Sequence, residues 1–212
     1  MKRRYRRSYK KKSVGAKALS LAKKLNKKIG KVEWKQCDFT MGLTDVDSAG
    51  AIYQISGIAA GMVVGTRIAE SVQARNWSLR FQFTDGGATA VNYPAIRIIL
   101  FRDNFNQGAL PALTEVVDTL TMTSLRNLEN SKRFKVYYDK IINLGRSTNP
   151  ALSYSQYRKV NIKLNHIMKF DGATAAVTDT REGSLNILVF SNCPAGTAPE
   201  FSYASRIRFT DS

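Results

Sequence analysis

Residues 77–84 read Trp-Ser-Leu-Arg-Phe-Gln-Phe-Thr, so that large apolar side chains alternate with polar ones. Successive side chains of a strand point to opposite faces of a sheet, and this period of two therefore predicts a strand with one buried and one polar face. The same alternation recurs over residues 159–170 and residues 201–210. The body of the chain is predicted to be all-β, built largely from half-buried strands.

Three further stretches, residues 95–102, 133–144 and 184–191, also read as strands but contain a denser run of apolar residues. Glycine, asparagine and aspartate cluster between several of the predicted strands, where they favour turns. Many short strands separated by turns are typical of a sandwich or a barrel. The pattern therefore predicts an antiparallel sandwich, and by itself it leaves jelly-roll and immunoglobulin-like topologies open.

Two stretches between strands need separate interpretation. Residues 105–132 form a long connection, of a kind that is common in jelly rolls, with a weak helical pattern over residues 109–119. Residues 48–66 carry no charge and contain glycines at four-residue spacing, a pattern also found in membrane spans. Polar residues interrupt this run, so we predict a buried strand leading into a glycine-rich loop, and no membrane span.

The N-terminal 31 residues contain 14 Lys and Arg and no Asp or Glu, whereas the rest of the chain has 19 Lys and Arg against all 16 Asp and Glu. A +14 segment followed by a +3 body indicates a cationic arm on a nearly neutral domain. Such an arm binds a polyanion, because its charges release the counterions condensed on a phosphate backbone. The predicted nucleic-acid-binding residues are Lys2, Arg3, Arg4, Arg6, Arg7, Lys10, Lys11, Lys12, Lys17, Lys23, Lys24, Lys27, Lys28 and Lys31.

Within the arm, Ala18, Ala22, Leu25 and Ile29 recur at helical spacing among lysines. This spacing predicts an amphipathic helix over about residues 16–29, after a disordered basic start. We therefore divide the chain into a basic arm, residues 1–31, and a shell domain, residues 32–212. The basic clusters at the start of the arm also suit a nuclear import receptor.

The residues needed for catalysis are scarce. His166 is the one histidine, and its position on the apolar side of a predicted strand indicates a hydrogen-bonded core residue. No cysteine and histidine spacing matches a zinc site, and no phosphate-loop signature occurs. The two cysteines, Cys37 and Cys193, are interpreted as small apolar residues without a disulfide. The chain is predicted not to be an enzyme and to need no cofactor.

Two pairs of carboxylates are the candidate metal ligands. Asp45 and Asp47 are two residues apart in the sequence, and Asp179 and Glu182 are three residues apart. Carboxylates of this kind bind calcium between subunits in some assemblies, and otherwise they are solvated loop acids. We leave both interpretations open, with solvated acids as the simpler one.

Four segments resemble a known family. Residues 65–72 leading into 77–83, the sequence Ile-Arg-Ile-Ile-Leu-Phe-Arg-Asp at 96–103, the sequence Arg-Phe-Lys-Val-Tyr-Tyr-Asp-Lys at 133–140 and the ending at 206–211 are similar to capsid proteins of small circular single-stranded DNA viruses. Those capsids are related to the coat protein of satellite tobacco necrosis virus. The resemblance implies a single eight-stranded antiparallel jelly roll, a small icosahedral, T=1-like shell of about sixty copies, and an arm directed at the genome.

The sequence is therefore interpreted as a viral coat protein that self-assembles and packages single-stranded nucleic acid, with DNA preferred. Ten of the 14 arm cations are lysines, which also suits the RNA satellite viruses. The predicted locations are the virion and, during assembly, the host nucleus. The alternative is a non-viral nuclear or ribosomal nucleic-acid-binding module that recruits a partner through its β-sandwich. The polar face Lys159, Asn161, Lys163, Asn165 and Lys169 is open to three interpretations: contact with the genome, contact with a receptor glycan, or a solvated surface.

Overall fold

The computed structural model describes residues 33–85, 94–106, 108–145 and 154–211, together with residues 15, 18–21 and 23–24 of the arm. Contacts divide the chain into two compact units, Met1–Glu33 and Trp34–Ser212. The described arm residues are helical and exposed. The rest of the helix predicted for residues 16–29, and the whole basic start, lie outside the described residues. The boundary after Lys31 therefore stays a prediction.

The described part of the second unit contains nine strands, one short helix and one 3-10 turn. The strands are β1 (Lys35–Asp45), β2 (Ala51–Gln54), β3 (Ser71–Thr84), β4 (Ala95–Asp103), β5 (Phe134–Asn143), β6 (Ser155–Phe170), β7 (Thr180–Glu182), β8 (Ser184–Ser191) and β9 (Glu200–Asp211). Helix α1 spans Leu113–Val116, and the 3-10 turn spans Val177–Asp179. Among the described helices, none is long and apolar enough to cross a membrane.

The strands form two antiparallel sheets. One sheet has the order β1-β9-β3-β6-β7 and the other the order β2-β8-β4-β5. The chain crosses to the other sheet at most of its connections, which is the jelly-roll arrangement rather than the immunoglobulin one. The predicted eight-stranded jelly roll is thus confirmed, with the three-residue β7 as an addition to the edge of the first sheet.

The two sheets differ in how they are buried, and this explains the two kinds of strand pattern in the sequence. In β3, Trp77, Leu79, Phe81 and Phe83 are fully buried between the sheets while the residues between them face outward. In β8 all eight residues are buried. The outer face of the four-stranded sheet is covered by α1 and the neighbouring connection, and a strand buried on both faces loses the alternation of polar residues.

The layer between the sheets is rich in aromatic rings. Phe83 stacks on Phe201 with ring centroids 5.0 Å apart, and Phe81 meets Phe83 edge to face at 5.4 Å. A second cluster lies on the far side of the four-stranded sheet; its buried members are Ile99, Phe101, Val116, Val117, Phe134, Leu188 and Phe190. The weak helical pattern at 109–119 proved to be only one turn of helix, α1, whose Val116 enters this cluster.

The connection that carries α1 is fixed by two arginine–carboxylate pairs. Arg133 donates to Asp103, a fully buried carboxylate, with Nη2–Oδ2 at 2.9 Å. Arg97 forms a fork with Asp139 on β5, with both nitrogen–oxygen distances at 2.9 Å, and its Nη1 donates to the carbonyl oxygen of Ser124 in the connection at 2.5 Å. These pairs place two of the four segments of the family resemblance, 96–103 and 133–140, in the framework of the four-stranded sheet rather than at a reactive site.

One buried hydrogen bond joins the aromatic layer to β9. The Nε1–H of Trp77 donates to Oγ of Ser205 at 3.0 Å, and Ser205 is 3 % exposed. We expect Ser205→Ala to lower the free energy of unfolding by about 1–3 kcal/mol, because it leaves a buried donor without an acceptor. Ser202→Ala, on the outer side of the same strand, is the control and should change it by less than about 0.5 kcal/mol. Guanidinium unfolding followed by tryptophan fluorescence measures both, and equal effects would contradict this account.

His166 is a core residue, as the sequence predicted. Its ring is 8 % exposed, and Nε2 lies 3.1 Å from the carbonyl oxygen of Gly183. Gly183 has a φ of +78°, and an added Cβ would lie 2.6 Å from the carbonyl oxygen of Ile167, so the close contact requires glycine. Burial, together with the nearby charges of Arg102 and Lys135, lowers the pKa of His166 from 6.5 to about 4.

This pKa shift predicts a pH-dependent stability. Above pH 6.5 the histidine is neutral in both states; between about pH 6.5 and 4 the unfolded chain binds a proton that the folded chain does not, so stability falls as the pH is lowered. The loss over that window should reach about 3 kcal/mol. His166→Gln, which keeps a donor for Gly183, should flatten the slope in denaturant midpoints measured from pH 7 to pH 5, a range above that in which the carboxylates titrate. A variant that retained the full slope would show that another group is responsible.

Candidate nucleic-acid interface

The structure describes only a small part of the predicted arm site. Lys23 and Lys24 lie in the arm helix and are exposed. The other twelve predicted residues lie outside the described residues: Lys2, Arg3, Arg4, Arg6, Arg7, Lys10, Lys11, Lys12, Lys17, Lys27, Lys28 and Lys31. Their role in binding phosphate stays a prediction that rests on charge.

A second cationic surface lies on the body, on the outer face of the five-stranded sheet. Its exposed cations come from three neighbouring strands, and we call this surface the basic face: Arg80 on β3, Lys159 and Lys163 on β6, and Arg206 and Arg208 on β9. Successive side chains of a strand point to opposite faces of the sheet, so these side chains face outward while the residues between them fill the core. The sheet order β9-β3-β6 then brings them together.

Strand register determines the spacing of these cations. Arg80 lies opposite Lys159 on one side and Ala204 on the other. Asn76 lies between Lys163 and Arg208 in the same way. Directly opposed residues are about 5 Å apart, so Arg80 and Lys159 are direct neighbours, whereas Lys163 and Arg208 flank Asn76 at about twice that separation.

An open groove of about 360 Å³ lies on the basic face. Its lining residues include cations and short polar residues: Asp38, Thr40, Ser78, Arg80, Lys159, Asn161, Ala204, Ser205, Arg206 and Arg208. The hydroxyl of Ser205 faces the core, where it accepts from Trp77. Guanidinium groups bind phosphate oxygens in pairs, and hydroxyl and amide groups complete such contacts. The groove therefore has the chemistry and the size to bind phosphate groups of a nucleic-acid backbone.

One carboxylate occupies part of this surface. Asp38 accepts two hydrogen bonds from Arg206, from Nε at 2.7 Å and from Nη2 at 2.5 Å. These bonds lower the pKa of Asp38 and raise that of Arg206. Among the residues that the structure describes, Arg80, Lys159, Lys163 and Arg208 form no ion pair. Four of the five cations are thus available to an anion.

Sequence patterning identified part of this surface and missed the rest. The predicted polar strand face is indeed exposed at Lys159, Asn161 and Lys163. Lys169 is instead paired with Glu182 at 2.8 Å, and Asn165 accepts hydrogen bonds from neighbouring side chains of β3. Arg80, Arg206 and Arg208 were not predicted as site residues, since their proximity to Lys159 depends on pairing between distant parts of the chain.

The remaining candidate groups have structural roles. Cys37 and Cys193 are free thiols, half-buried and buried respectively, as predicted. Asp47 accepts hydrogen bonds from the backbone of Ala49 and Gly50, and Asp179 accepts from Thr174. Among the described residues, no group of three or more His, Cys, Asp or Glu side chains is arranged to hold a metal ion.

Comparison with known proteins gives consistent matches. The family described as Satellite tobacco necrosis virus coat protein matches residues 1–212. The coat protein of Maize white line mosaic Satellite virus is 28 % identical over 184 residues, covering 85 % of this chain and 82 % of that one. The coat protein of Satellite tobacco necrosis virus 2 is 26 % identical over 199 residues, covering 92 % and 93 %. A solved structure titled Desmodium yellow mottle tymovirus has 15 % identity and a TM-score of 0.37, covering 85 % of this chain and 87 % of that one.

These relatives support one part of the resemblance drawn from the sequence and not the other. They belong to satellite viruses, and they support the satellite tobacco necrosis virus side of that resemblance. They give no support to a circular single-stranded DNA virus.

Removal of the carboxylate that is paired on the basic face should change the affinity of the chain for nucleic acid. We expect Asp38→Asn to release Arg206 and so to strengthen binding of the full-length chain to a fluorescent single-stranded oligonucleotide. One added phosphate contact should steepen the slope of log affinity against log salt by about 0.7. Asp171→Asn makes the same change in net charge at an exposed pair with Arg181 and is the control. If both variants behaved alike, only overall charge, and not the basic face, would be responsible.

Proposed function

The chain belongs to the satellite tobacco necrosis virus coat protein family, and we propose on that premise that about sixty copies build a T=1-like shell around a single-stranded genome. As a viral coat protein it forms an icosahedral capsid and is part of the virion. The family indicates a structural rather than an enzymatic role. The alternative of a nuclear or ribosomal module has no support from these relatives.

The arm is the proposed packaging element. It holds 14 positive charges and no negative charge in its first 31 residues, a density that requires a polyanion for neutralisation. Sixty arms would carry about 840 positive charges, which suits a genome of at least a comparable number of nucleotides. Binding of this kind reads phosphate and not sequence, so the order of residues in the arm should matter little.

We propose RNA as the cargo, in place of the DNA that the sequence motifs favoured. Two observations support this choice: the relatives are coat proteins of satellite viruses, and the arm is rich in lysine, as suits the RNA satellite viruses. Import into a host nucleus, predicted from the basic clusters at the start of the arm, has no support from these relatives. A calcium ion between subunits stays an open alternative to solvated loop acids, and adding a chelator to assembled particles would test it.

The basic face is proposed to contact the same nucleic acid and therefore to line the inside of the shell. The groove supports this proposal, because its unpaired cations and short polar side chains match a phosphate backbone. A receptor glycan bound from outside is the competing interpretation. Substitution of Arg80 and Lys159 would separate the two, since only an interior role lowers the cargo of the particle.

We expect particles made from a chain that lacks residues 1–31 to hold less than about a tenth of the normal nucleic acid, because most of the neutralising charge is lost. The measurement is the ratio of absorbance at 260 and 280 nm for purified particles, followed by sequencing of the nuclease-resistant cargo as RNA or DNA. The control is a full-length chain whose arm has the same composition in shuffled order, which should package normally.

Two outcomes would contradict this proposal. Normal packaging without the arm would show that the body alone selects the cargo. Failure of the shuffled arm, with assembly intact, would show that the arm is read by sequence or by helix geometry and not by its charge.

A further inference from the structure

One end of the subunit is built from connections that hold one another in place. We call it the connection end, and it comprises residues 55–70, 104–133 and 171–179. The backbone N–H of Ala60 donates to the carbonyl oxygen of Ala173 at 2.8 Å, which joins the first connection to the third. Nδ2 of Asn106 donates to the carbonyl oxygen of Thr180 at 3.0 Å, which joins the second to β7. The first connection is thus joined to the third, and the start of the second to β7, while the later part of the second connection, with α1, lies against the outer face of the four-stranded sheet.

The first connection carries a short apolar projection. Met62, Val63 and Val64 are 94 %, 68 % and 87 % exposed, and we call these three residues the apolar knob. Surface turns are normally made of polar residues and glycine. Contiguous exposed apolar side chains usually mark a contact with another molecule.

The apolar knob stands on a rigid base. The backbone N–H and the hydroxyl of Thr66 both donate to the carbonyl oxygen of Val63, at 3.1 and 2.7 Å. Arg67, which follows, is 3 % exposed; its Nε donates to the carbonyl oxygen of Ile58 at 2.9 Å and its guanidinium lies 4.4 Å from the centre of the Phe170 ring. A preformed projection loses little conformational freedom when it is buried.

The second connection carries an open recess. A hollow of about 330 Å³ lies there, and we call it the leucine hollow; its lining residues are Asp118, Leu125, Arg126, Asn127, Leu128 and Glu129. Leu125 and Leu128 are 75 % and 79 % exposed. Exposed leucines with charged residues beside them have the composition of an interface, with an apolar centre and a polar rim.

The leucine hollow is preformed as well. The backbone N–H of Asn127 donates to the carbonyl oxygen of Val116 at 3.0 Å, and that of Asp118 to the carbonyl oxygen of Leu125 at 3.1 Å. Val116 itself is buried in the cluster beneath α1. The lining of the hollow is thus fixed to the four-stranded sheet.

We propose that the apolar knob of one subunit inserts into the leucine hollow of a neighbouring copy in the shell. The inference rests on the assembly described under the proposed function. Eight of the 14 exposed large hydrophobic residues that are described in the second unit lie on the first two connections of this end, so the apolar surface is concentrated there. Contact between two different patches is heterologous, and heterologous contacts close the threefold and fivefold rings that an icosahedral shell requires.

Disulfide cross-linking tests the pairing directly. Chains with Val63→Cys and chains with Leu125→Cys are assembled together and treated with oxidised glutathione. We expect covalent dimers on a non-reducing gel from the mixture and none from wild-type particles, in which Cys193 is buried and Cys37 half-buried. Chains with Ile167→Cys, on the outer face of β6, replace the Leu125→Cys chains as the control and should give none.

Two results would overturn the pairing. Absence of dimers from the mixed particles would show that the apolar knob lies away from the leucine hollow. Dimers from Val63→Cys particles alone would show that the knob meets its own copy across a twofold axis.

A second variant keeps the proposal testable if the cysteine chains assemble poorly. Val63→Asp should lower the yield of shells at least about tenfold, because it places a charge in an apolar contact. The chain should remain folded, as judged by emission of the buried Trp77, and should still bind an oligonucleotide through its arm. Val63→Ile, which stays apolar, is the matched control and should assemble.

Electron microscopy of these chains distinguishes a failure of the proposed shell assembly from a failure of the proposed contact between subunits. If wild-type protein formed no shells, the proposed function itself would fail. If wild-type and Val63→Asp chains formed shells equally well, assembly would stand and only the apolar knob would lose its role.

Discussion

The structure depends on one apolar layer between two sheets, and β3 supplies its centre. Trp77, Leu79, Phe81 and Phe83 are completely or almost completely buried in this layer. A strand that directs every second side chain inward must direct the others outward. The polar outer surface of the five-stranded sheet therefore follows from the same pattern that builds the core, and the basic face is the cationic part of that surface.

The distribution of charge separates structural arginines from those available for binding. Arg67, Arg97 and Arg133 are buried or half-buried, and they hold connections to the sheets through carbonyl groups and carboxylates. On the basic face only Asp38 opposes the cations. A body with a net charge of +3 thus presents a local surface that is strongly positive, and it has the same sign as the arm.

The two outer faces of the sandwich differ in what covers them. The chain itself covers the outer face of the four-stranded sheet, with α1 and residues of the long connection buried against it. That connection leaves its own leucines exposed, and the connection between β2 and β3 has an exposed apolar tip. A coat protein associates with its own copies. Burial of the apolar surface that a single subunit leaves exposed is the main favourable contribution to such association.

The sequence by itself determined seven of the nine described strands, all except β1 and β7, together with the buried histidine, the free thiols and the cationic arm, because each depends on local periodicity or on composition. The residues predicted for β8, 184–191, are the residues observed. Only the tertiary structure decided the sheet order and the groove. Arg80 meets Lys159 and Ala204 through pairings between segments that are more than 70 residues apart. Local alternation fixes which face a side chain occupies, but long-range strand pairing, which minimises exposure of the whole core, decides which side chains become its neighbours.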